Sequence, residues 1–454
     1  MLQAKYLTQN RRSHTSIPEC TQELFTFESF DRRKIEGSFK GADVSSDGGI
    51  MLVRRADKLL GLTEALNRVL PDPRDPDLIT HPQLDLLRQR IYGLALGYED
   101  LNDHKTLRDD PLWQTALGRE RSLGSASTLC RLENRVERQA IVDFHRVLAD
   151  RFIASFKGVA PQELVLDFDA TDDLVHGNQV GAAYHAYYGN WCFLPLYVFC
   201  GQQLLVSYLR PSNADAARHT WAVLALLVKY LRRVWPQVKI IMRGDSGFCR
   251  WRVFRWCDKN GVCYLTGLAQ NNRVRALAEP SLQAAEAEHQ RSGQKVRLFS
   301  EIQYGALAWD RKRRVIVKAE HTAQGSNPRF VVTNLEGDPQ ALYDRTYCAR
   351  GDMENRIKEQ QLDLFADRTS CQAWWANQFR LMLSSCAYVL METLRRVGLT
   401  GTELACAQVG TIRLKLLKIG TVVLRNSRRI RLLFTQAFPL QSLFWHVCHH
   451  LSSA

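Results

Sequence analysis

Apolar residues recur at two different spacings along this chain, and the change of spacing divides it. Before residue 158 the spacing is helical. Leu84, Leu87, Ile91, Leu94 and Ala95 fall on one face of a helix over 84–96. Pro111 suits the first position of a second helix. A third helix starts near Ser127, whose hydroxyl can cap it, and runs through TLCRLENRVERQAIVDFHRVLADRF. Arg131, Arg135 and Arg138 fall on its exposed side, which suits a DNA groove and equally suits a solvated bundle face.

From residue 163 the runs shorten. ELVLDFD, FLPLYVFC (193–200) and QLLVSYLR (203–210) read as strands, with Gly201 in the tight turn between the last two. AARHTWAVLALLVKYLRRVW (216–235) is an amphipathic helix stopped by Pro236. VKIIMRGD (238–245) is a buried strand, WRVFRWCDKNG a helix closed by Gly261, and VCYLTGL the next strand. The order β-β-β-α-β-α-β predicts an α/β protein with a ribonuclease H-like mixed sheet. Residues 270–340 interrupt it with a polar helix (272–290) and alternating strands. A hairpin, TIRLKLLKIGTVVLRNSRRIRLLF, lies near the C-terminus and gathers Arg425, Arg428, Arg429 and Arg431. The expected division is an extended arm over 1–40, a helical DNA-binding unit over 41–158, and a core split between 159–269 and 341–398. A β-rich insertion occupies 270–340 and a basic segment 399–454.

Charge changes this picture. Lys and Arg total 61 against 47 acidic residues, a net +14 that favours a polyanionic partner, since each neutralised phosphate releases counterions. The chain has no apolar run of about 18 residues to span a membrane, and its polar first residues lack a secretory core. The 12 cysteines form no CxxC pair and read as reduced thiols of a cytoplasmic protein. His446, Cys448, His449 and His450 could bind a metal, but without a second half of a zinc site they read as a terminal helix.

Two aspartates end core strands: Asp169 in LDFDATDD and Asp245 in RGDSGF. If the first strand is central, those ends are neighbours and the carboxylates converge where open α/β sheets bind ligands. Carboxylates gathered in this way need a cation between them, and hard oxygen ligands select Mg²⁺ or Mn²⁺. Two such ions about 3.5–4 Å apart would activate a water or 3′-hydroxyl and stabilise the leaving oxygen of a phosphodiester. Each aspartate alone can equally be a turn or helix cap, and Asp167, Asp172 and Asp173 compete for the first position. In YCARGDMENRIKEQQLDLFADR, Tyr347, Arg350, Glu354, Lys358 and Gln361 are three or four apart and share a helix face. Such a face suits a phosphate backbone at a metal centre, and an ordinary solvated helix would show the same spacing. Arg243, just before Asp245, is a further candidate for neutralising phosphate.

Together these stretches resemble the insertion-sequence transposases of the DDE class, in the insertion-sequence thirteen-eighty family. The resemblance runs from about Phe39 to Arg368. It rests on VSSDGGIMLVR, HPQLDLLRQRIYGLALGYEDLND, LRDDP, STLCRLEN, LDFDATDD with HGNQ, FLPLYVFCG, RGDSGF and RGDMENRIKE. It implies that Asp169, Asp245 and Glu354 form a catalytic, metal-binding triad. It also implies that Tyr347 and Arg350 belong to a tyrosine–arginine–glutamate–lysine signature. The lysine of that signature falls on Gln361 here, and Lys358, one turn nearer, is the candidate to replace it. The family's β-rich insertion matches 270–340, where Trp309 could stack on an unpaired base or serve the core. The implied activity is cleavage at terminal inverted repeats and strand transfer to target DNA, by at least a dimer on paired ends. The rival expectations are a non-cutting DNA-binding remnant or repressor, and a plain nuclease of the same fold.

Overall fold

A computed structural model describes residues 24–453 of the chain. Most of the expected arm, residues 1–23, lies outside the described residues. Its remainder forms a hairpin, Phe25–Phe30 with Arg33–Gly37, whose strands pair only with each other. The helical part contains α1 (Ile50–Leu60), α2 (Gln83–Leu96), α3 (Ala126–Asn134) and α4 (Arg138–Ala154). The single helix expected from Ser127 is thus two. Ser125 caps the first, accepting from the Thr128 N–H at 3.3 Å. The chain then turns at 135–137, where Arg135 is drawn to Asp72 at 2.9 Å and Val136 is buried. Arg135 is therefore an internal tie, while Arg131 and Arg138 remain exposed.

The core sheet contains β1 (Glu163–Ala170), β2 (Leu196–Cys200), β3 (Gln203–Tyr208), β4 (Lys239–Gly244) and β5 (Cys263–Leu268). Their order is β3-β2-β1-β4-β5. The first three are antiparallel, and β4 and β5 run parallel to β1, which is the ribonuclease H-like arrangement. Three further strands, β6 (Val296–Tyr304), β7 (Arg313–Thr322) and β8 (Arg329–Thr333), continue the same sheet beyond β5. The segment expected as an insertion therefore builds onto the core edge, with β8 antiparallel to β5. This satisfies the hydrogen-bonding groups that an open edge would expose.

Period-two alternation decides which layer each β1 residue meets. Leu164, Leu166 and Phe168 face one core with α5 (Thr220–Val234), α6 (Trp251–Lys259) and α7 (Asn272–Ser292). Each such buried side chain contributes about 1.5–3 kcal/mol relative to exposure. Asp167 and Asp169 point the other way. That side is covered by α8 (Gly351–Lys358), by the helical turns before it, and by the long buried α9 (Trp374–Thr393). Ile241, Leu265, Ile316 and Val331 fix Tyr343 and Tyr347 against the sheet. The N-terminal helices share one apolar core with α9 and with the terminal helix α10 (Gln441–Ser453).

Near the C-terminus only Thr421–Arg425 and Ile430–Phe434 form a hairpin, which Val44–Ser45 joins as a third strand. The expected first strand, TIRLKLL, is helical instead, burying Ile412, Leu416 and Leu417. Arg425 turns inward to Gln114 and Thr115 at 3.0 Å each, whereas Arg428, Arg429 and Arg431 are exposed. His446, Cys448, His449 and His450 lie on α10, and no metal-holding group of three His, Cys, Asp or Glu occurs among the described residues.

Candidate active site

Register brings the two strand-end aspartates together. Arg243 pairs with Asp167 and Gly244 with Phe168 across the parallel β4/β1 ladder, so Asp245 leaves β4 beside Asp169 on β1. Neighbouring strands are about 4.8 Å apart. Asp245 also serves the local backbone, its Oδ1 accepting from the Gly247 N–H at 2.9 Å as β4 turns away. The Asp169 Oδ1 accepts from the Ala170 N–H at 2.8 Å.

The third acid arrives from the opposite layer. The chain is helical through Gly351, so Arg350 and Glu354 stand one turn apart with Nη2 to Oε1 at 2.5 Å. A π-helical segment, Leu342–Tyr347, precedes this turn and another, Glu359–Asp363, follows α8. Such widened turns re-aim side chains and often mark functional sites. Arg350 Nη1 lies 3.3 Å from Asp169 Oδ2, so one guanidinium bridges the acid of β1 and the acid of α8. Burial opposes the Arg350 charge, but Asp169, Glu354, Tyr347 and Asp245 together raise its pKa. Burial pushes Asp169 up to about 6; Arg350 opposes the rise, and the nearby charges of Asp245 and Glu354 add to it. Mutual repulsion among three acids, relieved by one cationic side chain, is the electrostatic state that a divalent ion would also relieve. The donor set therefore fits a hard divalent cation in chemistry. In geometry Arg350 stands between Asp169 and Glu354, and no three-carboxylate ligand group is formed among the described residues.

Tyr347 belongs to the same corner. A Cβ on Gly267 of β5 would come within 2.7 Å of the Tyr347 hydroxyl and 2.9 Å of the Ser246 nitrogen. Glycine there leaves the space into which the phenol packs, beside the end of β4. Burial raises the Tyr347 pKa, Arg350 lowers it, and Asp245 raises it further.

Arg243, expected to neutralise phosphate, lies inside the fold. It is buried, its Nη2 2.6 Å from Asp167 Oδ2, its Nε paired with Asp167 Oδ1 and its Nη1 with the Thr346 carbonyl. These bonds tie β1, β4 and the segment before α8 together, and they engage all three guanidinium nitrogens inside the protein. They also occupy Asp167, the nearest competitor of Asp169. Asp173 is buried against the Thr369 hydroxyl at 2.8 Å. Gln361 Nε2 donates to the Asp172 carbonyl at 2.9 Å, pinning the end of the third-acid segment to the loop after β1. Lys358 is exposed. Trp309 packs edge-on against Phe254 at 5.6 Å and Tyr304 at 5.5 Å, which places it with the core.

A family profile described as Transposase DDE domain group 1 matches residues 27–454. The chain belongs to that family. No curated protein matches it. Among solved structures, it is similar to one titled "Cryo-EM structure of piggyBac transposase synaptic complex with hairpin DNA (SNHP)". The identity is 11%, the match covers 82% of this chain and 79% of that one, and the TM-score is 0.40. Membership of a DDE transposase family supports DNA transposition as the activity, DNA as the partner and divalent metal ions as the cofactor class. Among the described residues no helix of this DDE transposase is long and apolar enough to cross a membrane.

Proposed function

We propose that this DDE transposase, of the insertion-sequence thirteen-eighty group, binds the terminal inverted repeats of its element, cleaves phosphodiester bonds there and joins the strands to target DNA. Asp169, Asp245 and Glu354 would hold the divalent cations, Mg²⁺ or Mn²⁺. Two such ions would supply activation of the attacking water or 3′-hydroxyl and stabilisation of the leaving oxygen. The observation that carries this reading is the Arg350 bridge from Asp169 to Glu354, with Asp245 in register beside Asp169. For the acids to take up cations, Arg350 turns from them to the phosphate, a group that a guanidinium grips bidentately. Tyr347 walls the site at the end of β4, and Lys358, exposed one turn beyond Glu354, meets the DNA backbone. Each reaction is one in-line phosphoryl transfer, in which the new P–O bond forms opposite the one that breaks. At least two copies act together on paired ends.

The test is Mg²⁺-dependent cleavage of an end-containing duplex by the wild type beside Asp245→Ala. Loss of cutting in the variant, with unchanged binding, is expected; equal cutting would remove Asp245 from the site. Pre-cut ends then separate a transposase, which joins them to target DNA, from a plain nuclease, which joins nothing. A protein that binds the ends without ever cutting would be the non-cleaving alternative.

A further inference from the structure

Directly after β1 the chain leaves the core to form a small three-stranded sheet from Asp173–Leu174, Ala183–His185 and Asn190–Phe193. Residues 174–193, LVHGNQVGAAYHAYYGNWCF, contain no Asp, Glu, Lys or Arg, in a chain with net charge +14. They contain three tyrosines and a tryptophan. Tyr184 and Trp191 are cross-strand partners with ring centroids 6.4 Å apart, and they are 55% and 60% exposed. Tyr187, in the turn between their strands, is 85% exposed. An exposed aromatic surface of this kind marks a binding face, and an unpaired nucleobase offers it a flat π-face to stack on.

The base of this sheet is fixed. Ser212 Oγ donates to the Ala183 carbonyl at 2.7 Å, and Asn377 Nδ2 to Gln179 Oε1 at 2.9 Å. Gly181, at φ +87°, lies so close to the Trp374 ring that a Cβ there would come within 2.5 Å of it. The exposed rings are thus held by a rigid footing on α9. Their position relative to the candidate site is set by the chain: the first strand of the small sheet begins three residues after Ala170, the end of β1, and the Asp172 carbonyl in the link between them accepts from Gln361 at 2.9 Å.

Resting on the DNA-cleavage reading above, we infer that Tyr184, Tyr187 and Trp191 form a stacking platform for unpaired bases of the DNA strand whose phosphate lies at Asp169. A strand whose phosphate is held there by the cations and Arg350 would pass over the small sheet, which begins three residues beyond the end of β1. Bases that leave the duplex at the cleavage point lose their stacking neighbours, and the rings replace them. The uncharged surface leaves the phosphates to Arg350 and Lys358 and is indifferent to base identity, because every base has a π-face.

The experiment uses the full chain in Ca²⁺ in place of Mg²⁺, a hard cation that oxygen ligands also hold, with the probes checked on a gel to be uncut. The probes are a 20-base-pair blunt duplex and the same duplex carrying a four-nucleotide 3′ overhang with 2-aminopurine in it. The wild type is expected to prefer the overhang and to quench the 2-aminopurine. Combined Tyr187→Ala and Trp191→Ala should lose about 5- to 150-fold in overhang affinity, with blunt-duplex affinity retained. The pair Tyr187→Phe and Trp191→Phe should keep the preference, since a phenyl ring still stacks. Unchanged preference or unchanged quenching in the alanine variant overturns the platform. So does a fall from dimer to monomer by light scattering with the preference intact, which would make this face a contact between copies. A wild type that cuts an end-containing duplex in Mg²⁺ while the alanine variant keeps its overhang preference sinks the platform alone. A wild type that neither binds nor cuts sinks the transposase reading with it.

Discussion

Two arginine–aspartate pairs sit two residues apart on the same face of β1, and they behave as opposites. Asp167 is closed in by Arg243, with both side chains almost wholly out of solvent and the guanidinium also bound to the Thr346 carbonyl. Asp169 meets Arg350 at 3.3 Å, and Arg350 is shared with Glu354, whose side chain is 45% exposed. In the first pair every strong bond is internal, so the pair holds elements in place. In the second, one cation answers two acids with a third beside them, so the charges balance only partly. The first pair is scaffold, and the second has unspent charge with which to bind something.

Breaking each pair should therefore register in a different measurement. The largest effect is expected at the closed pair. Arg243→Met leaves a buried carboxylate without its partner, which costs about 3–5 kcal/mol. It should show in the denaturation midpoint of the folded chain, before any DNA is added. Arg350→Ala should leave stability within about 1 kcal/mol, because Asp169, already raised to about 6 by burial, can take up a proton in place of the lost cation. Its deficit should appear in turnover, by about 10²- to 10³-fold, the usual effect of losing one group that neutralises developing charge. A reversed outcome, with Arg243→Met stable and slow and Arg350→Ala unfolded, would invert the roles assigned to the two pairs.

How much of this was legible beforehand follows from how local each signal is. The alternation of Leu164, Leu166 and Phe168 with Asp167 and Asp169 is written in five residues, so the strand, its core face and its acidic face could all be read. The sheet order followed from the succession of elements. Arg243 could not be placed, because its partner is 76 residues away and is chosen by the register between β1 and β4. Gln361 was a departure from a family pattern until its bond to the Asp172 carbonyl gave it a local task. The aromatic sheet escaped notice because its strands are two to four residues long, too short for a periodic signal. The break between α3 and α4 carries neither proline nor glycine; the tie from Arg135 to Asp72 supplies it. Gly267 could have been found only by knowing that Tyr347 packs across β5.

Asp173, at the start of the small sheet after β1, sharpens the contrast between closed and open charge by titration. Asp173 is buried, with Oδ2 accepting from Thr369 and Oδ1 without a partner among the described residues. Burial pushes its carboxyl up to about 8, with Asp367 and Asp172 adding to the rise. The native state thus holds this proton where the unfolded chain, near 3.9, has released it. Its contribution to stability is fully present below the unfolded value and is lost as pH rises through 8. Each pH unit in that window costs at most about 1.4 kcal/mol. Thermal midpoints should fall from pH 5 to pH 8 in the wild type, and Asp173→Asn should flatten that slope. Parallel slopes in the two proteins would mean that Asp173 is ionised in the fold.

The smallest effect is expected where charge is most exposed. Lys358 lies on the face of α8 that carries Glu354, and Gln361, at the position where the family signature has its lysine, is bonded to Asp172. If Lys358 meets one phosphate, Lys358→Ala should weaken binding evenly across DNA sequences and lower the slope of log affinity against log salt by about 1. Gln361→Lys should not raise that slope by as much, since the new side chain gives up the bond to the Asp172 carbonyl and loosens the end of the third-acid segment. A double variant separates the two effects: with Lys358→Ala in place, a full return of the salt slope on adding Gln361→Lys would mean that position 361 reaches DNA. A slope that stays low would leave the phosphate contact one turn nearer Glu354.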